Sequence, residues 1–155
     1  MTDRLQQPAY ALHALVAVLD RAADRILQER LGITFNRHLT LLTLQRLGRV
    51  TQRELAAELG VSEPSVSRSV PPLIDAGFLT VTSVAGEGNR RRVELTAVGN
   101  KLVDEAADVL EDAFAQVMTQ AGVRTDQILA ITDPMLGVIY AGNDDDGVAE
   151  AGDPS

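Results

Sequence analysis

Cysteine is absent from this chain, and so is tryptophan. Without a thiol there is no disulfide, no zinc–thiolate site and no thiol-based peroxide switch, and the composition suits a reducing cytoplasm. Aromatic residues make up only 3% of the chain, so its core has to be built from Leu, Val, Ile and Ala. No apolar run is long enough to span a bilayer. The richest, Ala9 to Leu19, passes into Asp20 and Arg21 with unbroken helical periodicity and lacks a basic start and a cleavage site. We read the protein as soluble and cytoplasmic, with no membrane partner and no targeting segment.

A catalytic set is missing too. Gly60-Val-Ser-Glu-Pro64 begins like a nucleophile elbow but has neither the closing glycine nor a preceding strand. Gly86-Glu-Gly-Asn89 lacks the helix that a dinucleotide fingerprint requires, and there is no phosphate loop. The two histidines, His13 and His38, are candidates for an effector cavity or for helping to hold a metal; a partly buried histidine with a backbone partner is the blander and favoured account of each. No cofactor, metal site or enzymatic function is expected.

What is present is concentrated between residues 51 and 96. Thr51-Gln-Arg-Glu54 is a capping box, in which the threonine hydroxyl takes a backbone N–H and Glu54 reaches back to Thr51. Leu55, Ala56 and Leu59 form one apolar face, Gly60 supplies a left-handed turn residue, and Ser62 stands at the cap of the next helix. Two short helices joined so tightly must cross steeply, which is the helix-turn-helix arrangement. On the second helix Val66, Val70 and Leu73 cluster, while Pro64, Ser65 and Arg68 fall roughly opposite. Small residues around one arginine suit a major groove, where Arg68 can reach a guanine edge or a phosphate.

Past Gly77, two short alternating runs, Phe78 to Val84 and Arg91 to Thr96, flank the turn-rich Ala85 to Arg90. That is a β-hairpin, with Val93 and Leu95 inward and Arg90, Arg91 and Arg92 at its tip. A basic hairpin directly after a helix-turn-helix is a wing, and its arginines suit a narrow minor groove. The charge balance agrees. The whole chain carries −8, yet Thr34 to Gly99 holds eight arginines against six carboxylates, leaving the remainder at about −10. A locally basic reading head on an acidic body is coherent for a nucleic-acid binder.

These residues resemble the MarR family of bacterial transcription regulators. The resemblance rests on Glu54-Leu-Ala-Ala-Glu-Leu-Gly-Val-Ser62, Ser65-Val-Ser-Arg68, Leu73 with Ala76-Gly-Phe-Leu79, Asn89-Arg-Arg91, and Val93-Glu-Leu-Thr96 followed by Gly99. It runs in motif detail from about Phe35 to about Gly99, and in helix order over nearly the whole chain. It implies a homodimer on pseudo-palindromic double-stranded DNA, often released by a small anionic or phenolic effector. Two features depart from the family pattern. Pro71-Pro72 replaces a charged pair, which predicts regular helix only to Val70 and then a kink or tightened turn through Leu73 to Ala76. Asn89 stands where the family wing has an aspartate, with Glu87 the only nearby carboxylate.

The flanking segments read as helices. The first, from Pro8 to about Arg30, repeats Leu5, Leu12, Leu19 and Ile26 with Ala9, Val16 and Ala23 interleaved, a seam suited to another helix. A second is expected from Thr34 to Leu47. A long helix from near Thr96 to Gly122 carries Val98, Leu102, Ala106, Val109, Ala113 and Val117 on one stripe. Thr125 to Tyr140 is interrupted by Asp133-Pro134 and is expected as two short pieces.

The fold expected is mainly α with a small β-hairpin wing: a winged helix-turn-helix DNA-binding domain plus a helical dimerisation region. The segments are 1–33, an N-terminal dimerisation helix; 34–99, the DNA-binding domain; 100–141, C-terminal dimerisation helices; and 142–155, a disordered acidic tail. DNA contacts are assigned to Ser62, Pro64, Ser65, Ser67, Arg68, Asn89, Arg90 and Arg91. The function expected is a homodimeric regulator, a repressor in preference to an activator. The alternative is a degenerate winged helix that serves protein interaction without specific DNA binding.

Overall fold

The computed structural model describes residues 7–83 and 91–145. The elements run α1 (Pro8–Leu31), α2 (Phe35–Leu47), β1 (Val50–Thr51), α3 (Gln52–Leu59), α4 (Glu63–Asp75), β2 (Leu79–Ser83), β3 (Arg91–Leu95), α5 (Ala97–Ala121) and α6 (Thr125–Asp145). Two compact units divide the chain, Met1–Glu111 and Asp112–Ser155. Among the described residues no helix is long and apolar enough to cross a membrane.

Local chemistry sets the ends of these helices. Pro8 sits in the first turn of α1, where its missing N–H costs nothing, and Gly32 closes the helix at φ 68°. The Thr34 hydroxyl accepts the Arg37 N–H at 3.3 Å to start α2. Asp24 on α1 supplies a second cap from eleven residues away, its Oδ1 accepting the Phe35 N–H at 2.8 Å. The capping box at α3 forms as expected, with Thr51 and Glu54 bonding reciprocally.

The sheet has three antiparallel strands in the order β1-β3-β2. The wing hairpin pairs Leu79 with Leu95 and Val81 with Val93, and β1 adds Val50 opposite Val93. Two residues are too short for alternation to announce a strand, so β1 was not anticipated. One core gathers Leu41 and Leu44 of α2, Leu55 of α3, Val66 and Val70 of α4, and Val93 of the wing. A second joins Leu27, Ile33 and Ala106.

Several expectations need correction. α4 is unbroken to Asp75 with both prolines inside it. The donors they remove would have met the carbonyls of Ser67 and Arg68, and those residues and both prolines are exposed, so water can take the bonds. Tightening is confined to the helix end, where the Gly77 N–H meets the Ile74 carbonyl at 2.8 Å and the Phe78 N–H meets that of Leu73 at 2.9 Å.

α6 likewise runs through Pro134 as one helix, with Ala130 and Pro134 both exposed. It continues past Tyr140 to Asp145, so 142–145 are helical and not a disordered tail, because each further residue adds a bond to a helix already nucleated. The rest of that tail lies outside the described residues, as does Leu5. The α5 stripe is buried only at its middle. Ala106 is enclosed, whereas Val98 and Val117 stand more than half exposed.

Candidate nucleic-acid interface

The reading head is built by three constraints. Gly60, at φ 65°, closes α3 by giving its N–H to the carbonyls of Ala56 and Ala57. The Val61 N–H then bonds the Ala56 carbonyl at 3.0 Å, and α4 begins within two residues. Leu55 and Ala56 of α3 and Val66, Val70 and Leu73 of α4 are buried. This fixes which face of α4 remains outside: Pro64, Ser67 and Arg68 are exposed, and Ser65 is half-buried. Ser62 has the extended backbone of an N-cap, yet its hydroxyl bonds no backbone N–H. It pairs instead with the Ser65 hydroxyl at 2.9 Å, which corrects the expectation of a side-chain cap.

The arginines of this region fall into two groups. Arg46 pairs with Glu58, Arg49 holds Glu94 of β3 through two bonds at 2.8 and 3.2 Å, and Arg53 lies 3.9 Å from Glu63. These pairs are exposed, and each contributes on the order of 0–1 kcal/mol. By joining residues up to 45 positions apart they tie α2, α3, α4 and the wing together, a role that spacing in the sequence does not reveal. Arg68 and Arg91 are different. Among the described residues neither carboxylates nor backbone carbonyls engage them, and both are exposed.

On β3, Arg91 lies opposite Ser83, while Arg92 lies between Thr82 and Thr51 and is half-buried. Arg92 turns toward α3, where it lines a hollow of about 490 Å³ with Thr51, Arg53, Glu54 and Ala57. Arg91 and Arg92 therefore do not point the same way. Asn89, Arg90 and Glu87 lie outside the described residues.

The two histidines do not share an environment. His13 is exposed on α1. His38 is buried on α2, 3% exposed, with its ring stacked on Phe35 at 6.3 Å. Its Nδ1 has no hydrogen-bond partner, and burial pulls its pKa below the ordinary 6.5. The backbone partner expected for a buried histidine is thus missing at Nδ1. Among the described residues no group of three or more His, Cys, Asp or Glu side chains could hold a metal ion.

A capped helix, a glycine turn, a second helix presenting an unpaired arginine and a strand-paired wing together define a winged helix-turn-helix protein. Residues 31–92 match the model of the MarR family. Over that segment the chain is similar to the MarR family. A cysteine-to-serine mutant of MarR from E. coli superposes with a TM-score of 0.75 at 18% identity, over 88% of this chain and 99% of that one. MepR, described as a transcription regulator of the Staphylococcus aureus multidrug efflux pump MepA, gives 0.67 at 19% identity, over 87% and 98%. The S. aureus MepR–DNA complex gives 0.68 at 19% identity, over 90% and 99%. At such identities the likeness establishes the fold.

Proposed function

We propose that this chain is a DNA-binding transcription regulator that acts as a homodimer on a pseudo-palindromic operator. The observation that carries this reading is Arg68. It is the exposed cation of a helix-turn-helix second helix, and no carboxylate of the described chain neutralises it. Buried Val66, Val70 and Leu73 aim it outward, and Ser67 beside it also has a hydroxyl without a partner among the described residues. The wing supplies a second cation that no described carboxylate engages, Arg91, and Asn89 and Arg90 extend that contact in the proposal. Ser62, Pro64 and Ser65 complete the approach to the groove. DNA-bound MepR and operator-bound MarR from E. coli share the fold and support the choice of partner.

Dimerisation is supported by apolar surface that the chain leaves open. Leu12, Leu15 and Val16 of α1 are each more than two-fifths exposed. On α6, Val138, Ile139 and Tyr140 are exposed by more than half. A dimer covering two half-sites about one helical turn apart occludes that stretch of DNA, so its output is read as repression. A small-molecule effector belongs to the proposal at His38, whose buried and unpartnered Nδ1 is the polar group that a ligand would satisfy. The exposed His13 is not placed with it.

The test is binding to random-sequence duplex DNA across a salt series. Each phosphate neutralised should contribute about −0.9 to the slope of log K against log salt. Weak binding with no salt dependence would overturn the reading.

A further inference from the structure

The exposed face of α4 has an unusual chemistry around Arg68. At about 100° per residue, Pro64, Pro71 and Pro72 all lie within about 60° of Arg68 around the helix. Pro64 comes one turn before it and the proline pair one turn after, and all three rings are exposed. The row is a single cationic donor between apolar rings.

Pro71 and Pro72 take no part in the core of the described residues. Each stands in a helix interior, where proline is strongly disfavoured, and neither ring fills a core position. A residue that breaks a local rule without contributing to packing points to a use outside the chain. A pyrrolidine ring has no donor and no charge to offer a base edge, so the hydrogen-bonding edges of guanine, cytosine and adenine gain nothing from it. The one apolar group in the major groove is the C5-methyl of thymine. Asp75 continues the same row and is exposed, and its carboxylate is repelled by phosphate. The helix therefore enters by its N-terminal half, and the proline pair is the last group to reach the bases.

From this, and resting on the DNA-binding reading above, we infer that Pro64 and Pro71-Pro72 are specificity-determining residues that read thymine methyls on either side of a guanine bound by Arg68. Four residues of helix rise about 6 Å, close to two base-pair steps. Each half-site then carries a guanine with a thymine about two base pairs away on each side, and the methyls make part of the selection.

The experiment is selection of binding sites from a random duplex library with the full chain. The selected site is then resynthesised with uracil, which lacks only the methyl, at each flanking thymine in turn. Burying one methyl predicts about a fourfold loss of affinity per substitution. Pro64→Ala should abolish that loss at one thymine, and the double variant Pro71→Ala with Pro72→Ala should abolish it at the other. Neither change threatens folding: Pro64 stands in the first turn, where alanine is also accepted, and alanine is the better helix residue at positions 71 and 72. Selected sites without thymines at this spacing would overturn the inference alone. So would uracil sites that bind as well as thymine sites, or a uracil penalty that persists undiminished in the alanine variants. If no sequence is enriched and duplex binding shows no salt dependence, the DNA-binding reading falls and this inference falls with it.

Discussion

Gly99 of α5 packs against the carbonyl oxygen of Phe78 so closely that a Cβ at position 99 would overlap it. The carbonyl cannot simply retreat, because it also accepts the Thr96 N–H at 3.0 Å and the Thr96 hydroxyl at 3.2 Å. Gly99→Ala sets two effects against each other. Alanine gains roughly 1 kcal/mol in helix propensity, while forced overpacking costs about 1–3 kcal/mol. The overlap is with backbone, which yields less readily than a side chain, so the clash should win by about 1–2 kcal/mol. Denaturant unfolding of the variant checks this; a midpoint equal to or above that of the parent would show that the junction between α5 and the wing is looser than the geometry implies.

His38 should make the stability of the fold depend on pH. Burial lowers its pKa from 6.5, so the folded chain resists a proton that the unfolded chain accepts. Above 6.5 both states are neutral and the group contributes no slope. As pH falls below 6.5 the unfolded state binds more protons, and stability declines until the lowered pKa is passed, where the loss levels off. The slope cannot exceed about 1.4 kcal/mol per pH unit for one group. His38→Leu removes the titration, so the stability difference between variant and parent should widen in favour of the variant from pH 7 to pH 5. A difference that stays constant across that range would exclude His38 as its source.

Arg68 and Arg91 should fail differently when removed. Arg68→Ala should cost about 1–3 kcal/mol of discrimination between a selected operator and random duplex if the guanidinium reads a base. Arg91→Ala should lower affinity for both DNAs alike and flatten the salt slope by about 0.9, since a wing cation at the backbone carries no sequence information. Competition binding at two salt concentrations separates these outcomes. Equal binding by either variant and the parent removes that residue from the interface.

Pro71→Ala with Pro72→Ala should raise stability. Each proline is disfavoured by about 3 kcal/mol relative to alanine in a helix interior, while its restriction of the unfolded chain gives back only about 0.4–1 kcal/mol. Solvation of the Ser67 and Arg68 carbonyls has already softened the first term, so a net gain of at least about 1 kcal/mol is expected. Thermal unfolding measures it, and a less stable double variant would mean the rings hold α4 in a shape it needs.

The sequence made the reading head legible because its signals are local. A capping box, a glycine in the left-handed region and a change of period from helix to strand each lie within a few residues, and α3, α4 and the wing strands fell where those signals put them. The failures have a common cause in what lies outside the helix itself. Pro71, Pro72 and Pro134 read as breaks, but each faces solvent, where a lost hydrogen bond is replaced by water. The caps and pairs that link distant segments, Asp24 to Phe35 and Arg49 to Glu94, leave no periodic trace. Grouping Arg91 with Arg92 overlooks strand alternation, which turns Arg92 toward α3 and leaves Arg91 outside.

The first half of α1 provides the sharpest test of assembly. Leu12, Leu15 and Val16 share a face at helical spacing and are 41%, 50% and 53% exposed, whereas Leu27 near the other end is fully buried. The chain thus covers one end of its own helix and leaves the other bare, a pattern that a second copy would complete. Introducing charge there, as Leu15→Asp with Val16→Asp, removes nothing from the core of the single chain, because both side chains already face water. We expect helical circular dichroism to be retained while sedimentation shifts from twice the chain mass to the chain mass at micromolar concentration. Operator affinity should fall with it, since one subunit can hold only one half-site. A double variant that still sediments as a dimer would show that α1 is not the seam, and a parent protein that sediments as a monomer would remove the dimer altogether.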